Sequence, residues 1–452
     1  MIGKSFVYQN VRVDGSRRVI NFDYQIQTDQ QTYNISEILK FPLPLPENDT
    51  IDRMLRALHI ALGISYYKAF LPPVINHDYV MDIQEANFWN YIFKNGLGEF
   101  LYKNNISSSK LAKFKPQTGN IIPGDSDTTT WSETALLGIG GGKDSIVAGE
   151  LLKSMKIDTS GFVLATGDNK GQTQGVANTL GFNLLAVERT IDKQILEINK
   201  VEGAFNGHIP ISLIFALTGC IVAVAKGDRY VIVANEASAS IPHAKHEGSD
   251  INHQWSKSLE FEKSFQVYIH KYVTTNLDYF SLIRPLTSVA VAKLFSSYPK
   301  YYEVFTSDNS VFKINANSQS SRWSNDSPKS LSSYILLAPW IDEYNLVKIF
   351  GHNFLDDNNL SELFLSLLGA NENPVLDCVG TPSELRLCLS IIYSQDRFKE
   401  SYLMRIAKEQ NLIIQNYDLA LVSALDLSNN HAIPEDIDNK LVTILEEKLK
   451  SE

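Results

Sequence analysis

Apolar and polar residues alternate with period two from Phe6 to about Leu45. Val11-Arg12-Val13, a turn at Asp14-Gly15, and Val19-Ile20-Asn21-Phe22-Asp23-Tyr24 predict a hairpin. From Asp49 the period changes. Met54, Leu55, Leu58, Ala61 and Leu62 fall on one face of a helix that the pattern expects to stop at Gly63. Pro72-Pro73 break the chain, and a second helical stretch carries Phe88, Trp89, Tyr91 and Ile92. These elements predict a small α+β domain over residues 1–105, followed by a Ser/Thr/Asn/Pro-rich linker over 106–134. Strand and helix patterns then alternate. Strands are expected at Ala135–Ile139, Phe162–Ala165, Leu184–Val187 and Tyr230–Ala234, and helices at Ser145–Met155, Gln172–Leu180, Ile191–Asn199 and Ile211–Val224. That alternation predicts a parallel α/β domain over 135–310. Residues 241–252 read as loop, and 311–452 as a mostly helical region closing with a helix that packs Ile437, Leu441, Ile444, Leu445 and Leu449 on the core.

The chemistry concentrates at the end of the first predicted parallel strand. Leu136-Leu137-Gly138-Ile139 runs into Gly140-Gly141-Gly142-Lys143-Asp144-Ser145, where a helix pattern opens. Glycines let a ligand approach the backbone N–H groups, and a helix N-terminus adds unpaired donors and a partial positive charge. Lys143 adds a full charge. The spacing is not a Walker A loop, because Asp144 separates Lys143 from Ser145. It is not a dinucleotide fingerprint either, for want of a third, later glycine. A ligand-free glycine turn is the plain alternative, but Lys-Asp-Ser after three glycines has little packing purpose. In parallel sheets ligands bind beyond the C-terminal strand ends. Thr166-Gly167-Asp168 and Asn235-Glu236 follow two further strands and should meet the glycine loop there.

Three more stretches are polar where chemistry could use them. Asn206-Gly207-His208 precedes the apolar helix near Ile209, either as a cap or as an anion site. Asn235-Glu236-Ala237-Ser238 follows a buried strand, and Glu236 could hold magnesium or a ribose hydroxyl. Asn252-His253-Gln254-Trp255-Ser256-Lys257-Ser258 is the densest. If it is helical, His253 and Lys257 share a face; Trp255 reads as core.

Composition narrows the classes. The chain has 452 residues, 44% of them hydrophobic, and a net charge of -10, which argues against a polyanionic nucleic acid as main partner. Cys220, Cys378 and Cys388 have no metal-ligand spacing, so a reducing, cytoplasmic compartment fits. Ile209–Ala225 is apolar, but too short and too interrupted to span a membrane.

The glycine loop resembles the pyrophosphate loop S-G-G-x-D-S of the PP-loop ATP pyrophosphatases, with Gly140 where the first serine usually stands. The resemblance sharpens in Asn206-Gly207-His208-Ile209-Pro210, in Ala234-Asn235-Glu236-Ala237-Ser238-Ala239-Ser240 and in the stretch from Asn252 to Glu262. Gly63–Ala69, Gly96-Leu97-Gly98-Glu99-Phe100 and Asp377-Cys378-Val379-Gly380 add to it. Together these segments are similar to one subfamily, the MurL-type UDP-N-acetylmuramoyl-L-alanyl-L-glutamate epimerases. The resemblance implies a HUP-like (adenine nucleotide alpha hydrolase-like) PP-loop core. It also implies ATP- and magnesium-dependent inversion of a terminal L-glutamate through an acyl-adenylate, in peptidoglycan precursor synthesis. Gly140, Gly141, Gly142, Lys143, Asp144, Ser145 and Asp168 would then bind ATP, with Asp144 and Glu236 holding magnesium. Asn206, Asn235, Glu236, Ser238 and Ser258 would bind substrate, and His253, Lys257, His208 and Lys68 are the candidates for proton transfer and carboxylate binding. Trp323-Ser324-Asn325-Asp326-Ser327-Pro328-Lys329-Ser330 lies where many relatives carry W-C-x-x-C-P-K-C, so no structural zinc is expected. Two other readings stay open: another PP-loop adenylating enzyme, such as a nucleobase- or tRNA-modifying ligase, and a non-catalytic ATP-sensing module.

Overall fold

The computed structural model describes residues 1–117, 129–167, 170–308, 322–373 and 375–450. Three strands, β1 (Gly3–Val13), β2 (Val19–Thr28) and β3 (Thr32–Lys40), form the antiparallel meander that the alternation predicts. Ile20, Phe22, Tyr24 and Ile26 are fully buried, and the residues between them are more exposed, as in a sheet with one covered face. Helix α1 (Asp49–Tyr67) lies on that face, capped by Asn48. It does not stop at Gly63. A Cβ there would sit 2.5 Å from the Tyr8 ring, so the glycine serves close helix-to-sheet packing and the helix runs on to Tyr67. A short strand β4 (Ile75–Asn76) pairs with β1, and α2 (Ile83–Gly96) and α3 (Gly98–Lys103) follow.

The α/β unit then runs β5 (Ser132–Gly138), α4 (Lys143–Ser154), β6 (Thr159–Thr166), α5 (Lys170–Leu180), β7 (Leu184–Thr190), α6 (Gln194–Ile198), α7 (Ile211–Lys226) and β8 (Asp228–Val233). After a small hairpin, β9 (Ala244–His246) with β10 (Ser249–Ile251), come α8 (Leu259–Tyr272), β11 (Asp278–Ser281) and α9 (Ser288–Ser296). All four expected strands form. The helix expected over 191–199 shortens to α6, and the stretch read as loop over 241–252 contains the β9–β10 hairpin. Strand β11 escaped the pattern because all its residues are buried, leaving no period to read.

The strands make one nine-stranded sheet in the order β11-β8-β5-β6-β7-β3-β2-β1-β4. Strands β11, β8, β5, β6 and β7 are mutually parallel, and β3 joins β7 antiparallel. The buried Arg189–Glu37 ion pair crosses that seam, and Tyr66 donates to the other Glu37 oxygen at 2.6 Å. The chain enters the parallel part at its centre, β5, moves out through β6 and β7, and returns to β8 and β11 on the other side. The reversal leaves a crevice between the C-terminal ends of β5 and β8.

Alternate residues of the parallel strands feed two cores. Ala135, Leu137, Tyr230, Ile232 and Phe280 pack with α4, α9 and the C-terminal helices. Leu136, Val231 and Tyr279 pack with α1, α7 and α8. The C-terminal region is helical: α10 (Pro328–Leu337), α11 (Glu343–Phe350), α12 (Ser361–Leu367), α13 (Pro382–Ser394), α14 (Tyr402–Glu409), α15 (Asp418–Leu425) and α16 (Glu435–Lys450). Helix α16 buries Ile437, Leu441, Leu445 and Leu449, with Ile444 partly buried beside them. The apolar stretch from Ile209 is the buried helix α7. Among the described residues no helix is long and apolar enough to cross a membrane.

Candidate active site

The crevice is real and large. A cleft of about 540 Å³ opens at the C-terminal strand ends, and Gly140, Gly142, Asp144, Ser145, Asn235, Lys257 and Lys329 are among the residues that line it. Gly141 turns the loop with φ of 85°, a left-handed conformation that favours glycine. A Cβ on Gly142 would lie 2.9 Å from Ser307 Oγ, and Thr306 N–H donates to Gly141 O at 3.0 Å. Gly142 is the N-cap of α4 and offers no side-chain cap, so the first N–H groups of the helix stay available to an anion.

Lys143 is buried beneath this loop. Its Nζ lies 2.5 Å from Asp144 Oδ1 and 3.9 Å from Glu236 Oε2. Burial alone would lower its pKa, but the two carboxylates outweigh burial and raise it. Glu236 follows β8. Its Oε1 accepts from Ser288 Oγ at 2.6 Å, while Oε2 is buried with no hydrogen-bond partner. Burial pushes its carboxyl up to about 7, against the pull of Lys143. A buried, unpartnered carboxylate oxygen next to Asp144 is a poor apo arrangement and a fitting magnesium ligand.

A second cluster adjoins the cleft. Glu99, at the start of α3, accepts from His253 Nδ1 at 2.6 Å and from Lys103 Nζ at 2.5 Å. His208 Nδ1 is 3.6 Å from the same carboxylate. Burial alone would raise Glu99, but the hydrogen bonds from His253 and Lys103 hold it at about 2. An ionised carboxylate only accepts, so His253 Nδ1 is the donor to Glu99. The His253 Nε2 lies 3.8 Å from Asp377 Oδ1. Burial lowers His208 to about 4, so it is neutral at physiological pH. Lys68 donates to Asn206 Oδ1 at 3.0 Å, and burial lowers it to about 8.

Two lysines join the cleft to the cluster. Lys257 and Lys329 both line the cleft. Lys257 Nζ donates to Cys378 Sγ at 3.7 Å, and Lys329 Nζ is 3.7 Å from Asp377 Oδ1. His253 and Lys257 do not share a helix face: Trp255–Lys257 is a single 3₁₀ turn, and α8 begins only at Leu259. They face the site because that turn lies between the cleft and the cluster.

The predicted residues therefore divide. Gly140, Gly142, Asp144, Ser145, Asn235 and Lys257 line the cleft. His253, His208, Lys68 and Asn206 gather around Glu99 and its neighbours. Ser258 is buried and caps α8, accepting from Phe261 N–H. Ser238 donates to Glu384 at 2.9 Å, tying the loop after β8 to α13. Asp168 lies outside the described residues. In the serine cluster, Asp308 Oδ2 accepts from Ser324 N–H at 2.7 Å and Ser330 Oγ at 2.9 Å. Sequence reasoning gave no role to Glu99, Asp377, Cys378, Lys329 or Arg284. The first three fell in segments noted only for resemblance; Arg284 carried no local signal.

Arg284 is the bolt of the site. Fully buried, it donates to Glu236 O at 2.8 Å, Lys257 O at 2.7 Å and Glu262 Oε2 at 2.9 Å. It thus fixes both loops that carry the cleft's charged groups. Arg284→Met is expected to cost about 3–5 kcal/mol of stability in urea unfolding, because Glu262 is left buried and uncompensated. Glu262→Gln in the same chain should recover part of that loss. An unchanged unfolding midpoint in the single variant would contradict this.

Residues 2–282 match the family model described as MurL N-terminal domain, and residues 304–417 match MurL C-terminal domain. The chain belongs to the MurL family. Three relatives are each named UDP-N-acetyl-alpha-D-muramoyl-L-alanyl-L-glutamate epimerase. The protein from Xanthomonas oryzae pv. oryzae is 31% identical over 388 residues, covering 85% of this chain and 84% of its own. That from Micromonospora sp. is 30% identical over 407 residues, 89% of each. That from Salinispora tropica is 30% identical over 403 residues, 88% of this chain and 86% of its own. The two MurL domains meet at the site: the N-terminal match carries the glycine loop, Glu99 and His253, and the C-terminal match carries Lys329, Asp377 and Cys378.

Proposed function

We propose that this chain is the epimerase its relatives are named for. It would invert the terminal L-glutamate of UDP-N-acetylmuramoyl-L-alanyl-L-glutamate, in the cytoplasm, as a step of peptidoglycan precursor synthesis. On this reading the parallel core is a PP-loop nucleotide-binding fold, and the reaction consumes ATP and releases AMP and pyrophosphate. The observation that carries it is the junction itself: a cleft shaped for phosphates shares Lys257 and Lys329 with a histidine–carboxylate cluster.

The chemistry follows from charge. Taking the α-proton beside a free carboxylate would build a dianion. Joining that carboxylate to AMP removes its charge and acidifies the α-carbon. The α4 N-terminus and Ser145 receive the leaving pyrophosphate. Asp144 and Glu236 would hold magnesium, which when bound neutralises phosphate charge. His253, backed by Glu99, takes the α-proton at Nε2, and the Glu99 carboxylate stabilises the imidazolium. Lys103 is paired with Glu99 and Lys329 lies beside Asp377, which leaves Lys68 and Lys257 as the ammonium groups best suited to a substrate bearing a diphosphate and carboxylates.

Incubation with ATP, magnesium and the L,L-dipeptide precursor, followed by chiral analysis of the glutamate, tests the reading. D-glutamate appearing with AMP supports it; unchanged L-glutamate contradicts it. A pH dependence is also expected. Lys68 is charged below about 8 and neutral above, so KM for the precursor should rise from about pH 7 to about pH 9. Lys68→Arg, which stays charged, should flatten that rise. A KM that stays flat in the parent chain removes Lys68 from substrate binding.

A further inference from the structure

Of the three cysteines, one faces the site. Cys220 and Cys388 are fully buried in the cores, where burial drives both thiols far above their usual range. Cys378 is half-buried, and its sulfur accepts from Lys257 Nζ at 3.7 Å. Asp377 Oδ1 accepts from the Cys378 N–H at 2.8 Å, and the same oxygen lies 3.8 Å from His253 Nε2. The loop is pinned beyond the cysteine too. Gly380 has φ of 75°, and a Cβ there would lie 3.2 Å from Ser288 Oγ. Thr381 and Glu384 then form a capping box at the start of α13. Cys378 thus stands on a fixed loop where the cleft meets the histidine cluster.

Inverting a carbon requires a proton to leave on one face and return on the other. Two fixed groups do this without a large movement of either. His253 with Glu99 is one such group. We propose that Cys378 is the second, its thiol returning a proton to the face opposite His253. This rests on the epimerase reading above. In the L-to-D direction the Cα–H bond breaks toward His253 Nε2 and the S–H proton passes to Cα. The imidazolium is left beside Glu99 and the thiolate beside the Lys257 ammonium. Passage of the proton from imidazolium to thiolate through water restores both groups, and nothing is oxidised or reduced. In the D-to-L direction the two groups exchange roles.

The test compares Cys378→Ala and Cys378→Ser with the parent chain in deuterated water, with ATP, magnesium and the L,L-precursor. Both variants are expected to form AMP within a few-fold of the parent and to lose inversion by on the order of a hundredfold or more. The L-substrate should still gain deuterium at Cα with retention, since His253 can take and return a proton on its own face. Serine preserves size and a hydrogen bond, so a packing role would be rescued by Ser and a proton-transfer role would not. Iodoacetamide should label Cys378 alone in the folded protein, more slowly with ATP and precursor bound. Near-normal inversion in either variant, or loss of α-exchange together with inversion, overturns the proposal. A parent chain that forms AMP without inverting glutamate overturns the epimerase reading itself, and this assignment with it.

Discussion

Asp144→Ala is expected to lower AMP and pyrophosphate formation at least on the order of a thousandfold. Its carboxylate is the partly exposed member of the Lys143–Asp144–Glu236 group and the one that lines the cleft. Removing it takes away the proposed metal ligand and the closer of the two carboxylates beside the buried Lys143, leaving Glu236 at 3.9 Å. Asp144→Asn keeps the shape and an acceptor oxygen for Lys143 but loses the charge. Both variants should therefore fail in turnover, while the asparagine chain should unfold near the parent midpoint. Turnover at the parent rate in Asp144→Asn would mean that the glycine loop holds no metal-bound phosphate.

His253→Ala is expected to lose exchange of the glutamate α-proton with deuterated water by on the order of a hundredfold or more. Its adenylation step should continue, because neither the α4 N-terminus nor Asp144 touches the imidazole. Following deuterium by mass spectrometry and AMP by chromatography in one reaction separates the two steps. Glu99→Gln should also lose exchange, on the order of a hundredfold or more, because an amide no longer stabilises the imidazolium and can donate to Nδ1, turning the proton to the wrong nitrogen. Lys257→Ala should behave differently, weakening substrate binding, because a permanent ammonium suits an anion better than proton abstraction. Full exchange in His253→Ala would pass the base role to His208 or Lys68. Loss of adenylation in that variant would make the stretch from Asn252 a substrate clamp.

The parallel core was legible because its signals are local. A short apolar run, three glycines and Lys143-Asp144-Ser145 announce a strand, a tight turn and a helix start, and the structure places them at the sheet's reversal point. Period two in β2 and the one-sided faces of α1 and α16 were equally plain. Gly63 misled because a glycine that ends a helix and one that lets Tyr8 pack against it look alike in sequence. Strand β11, Asp-Tyr-Phe-Ser, is four residues long and buried throughout, so its polar residues do not alternate with its apolar ones and mark no period. The join of β3 to β7 also left no trace, since sheet pairing between distant segments is a tertiary fact.

The candidate site was only half legible for the same reason. The spacing of His253 and Lys257 suggests a shared helix face, but a shared face is not what aims them. Glu99 anchors His253 Nδ1 from 154 residues away, and Lys329, Asp377 and Cys378 come from the C-terminal region. Arg284 speaks to three backbone and side-chain acceptors that no sequence window contains together. A residue whose role is to hold others in place becomes visible only when the fold brings them together.

The most direct test of the central claim follows the oxygen. The L,L-precursor is prepared with heavy oxygen in the α-carboxylate of its terminal glutamate, and the products of one turnover with ATP and magnesium are examined by mass spectrometry. If the carboxylate is joined to AMP and water then attacks the carbonyl carbon, the bridging oxygen leaves with the nucleotide. AMP carrying one heavy oxygen, formed together with D-glutamate, is the predicted result. Unlabelled AMP, or inversion of the glutamate with no AMP formed, would contradict the account.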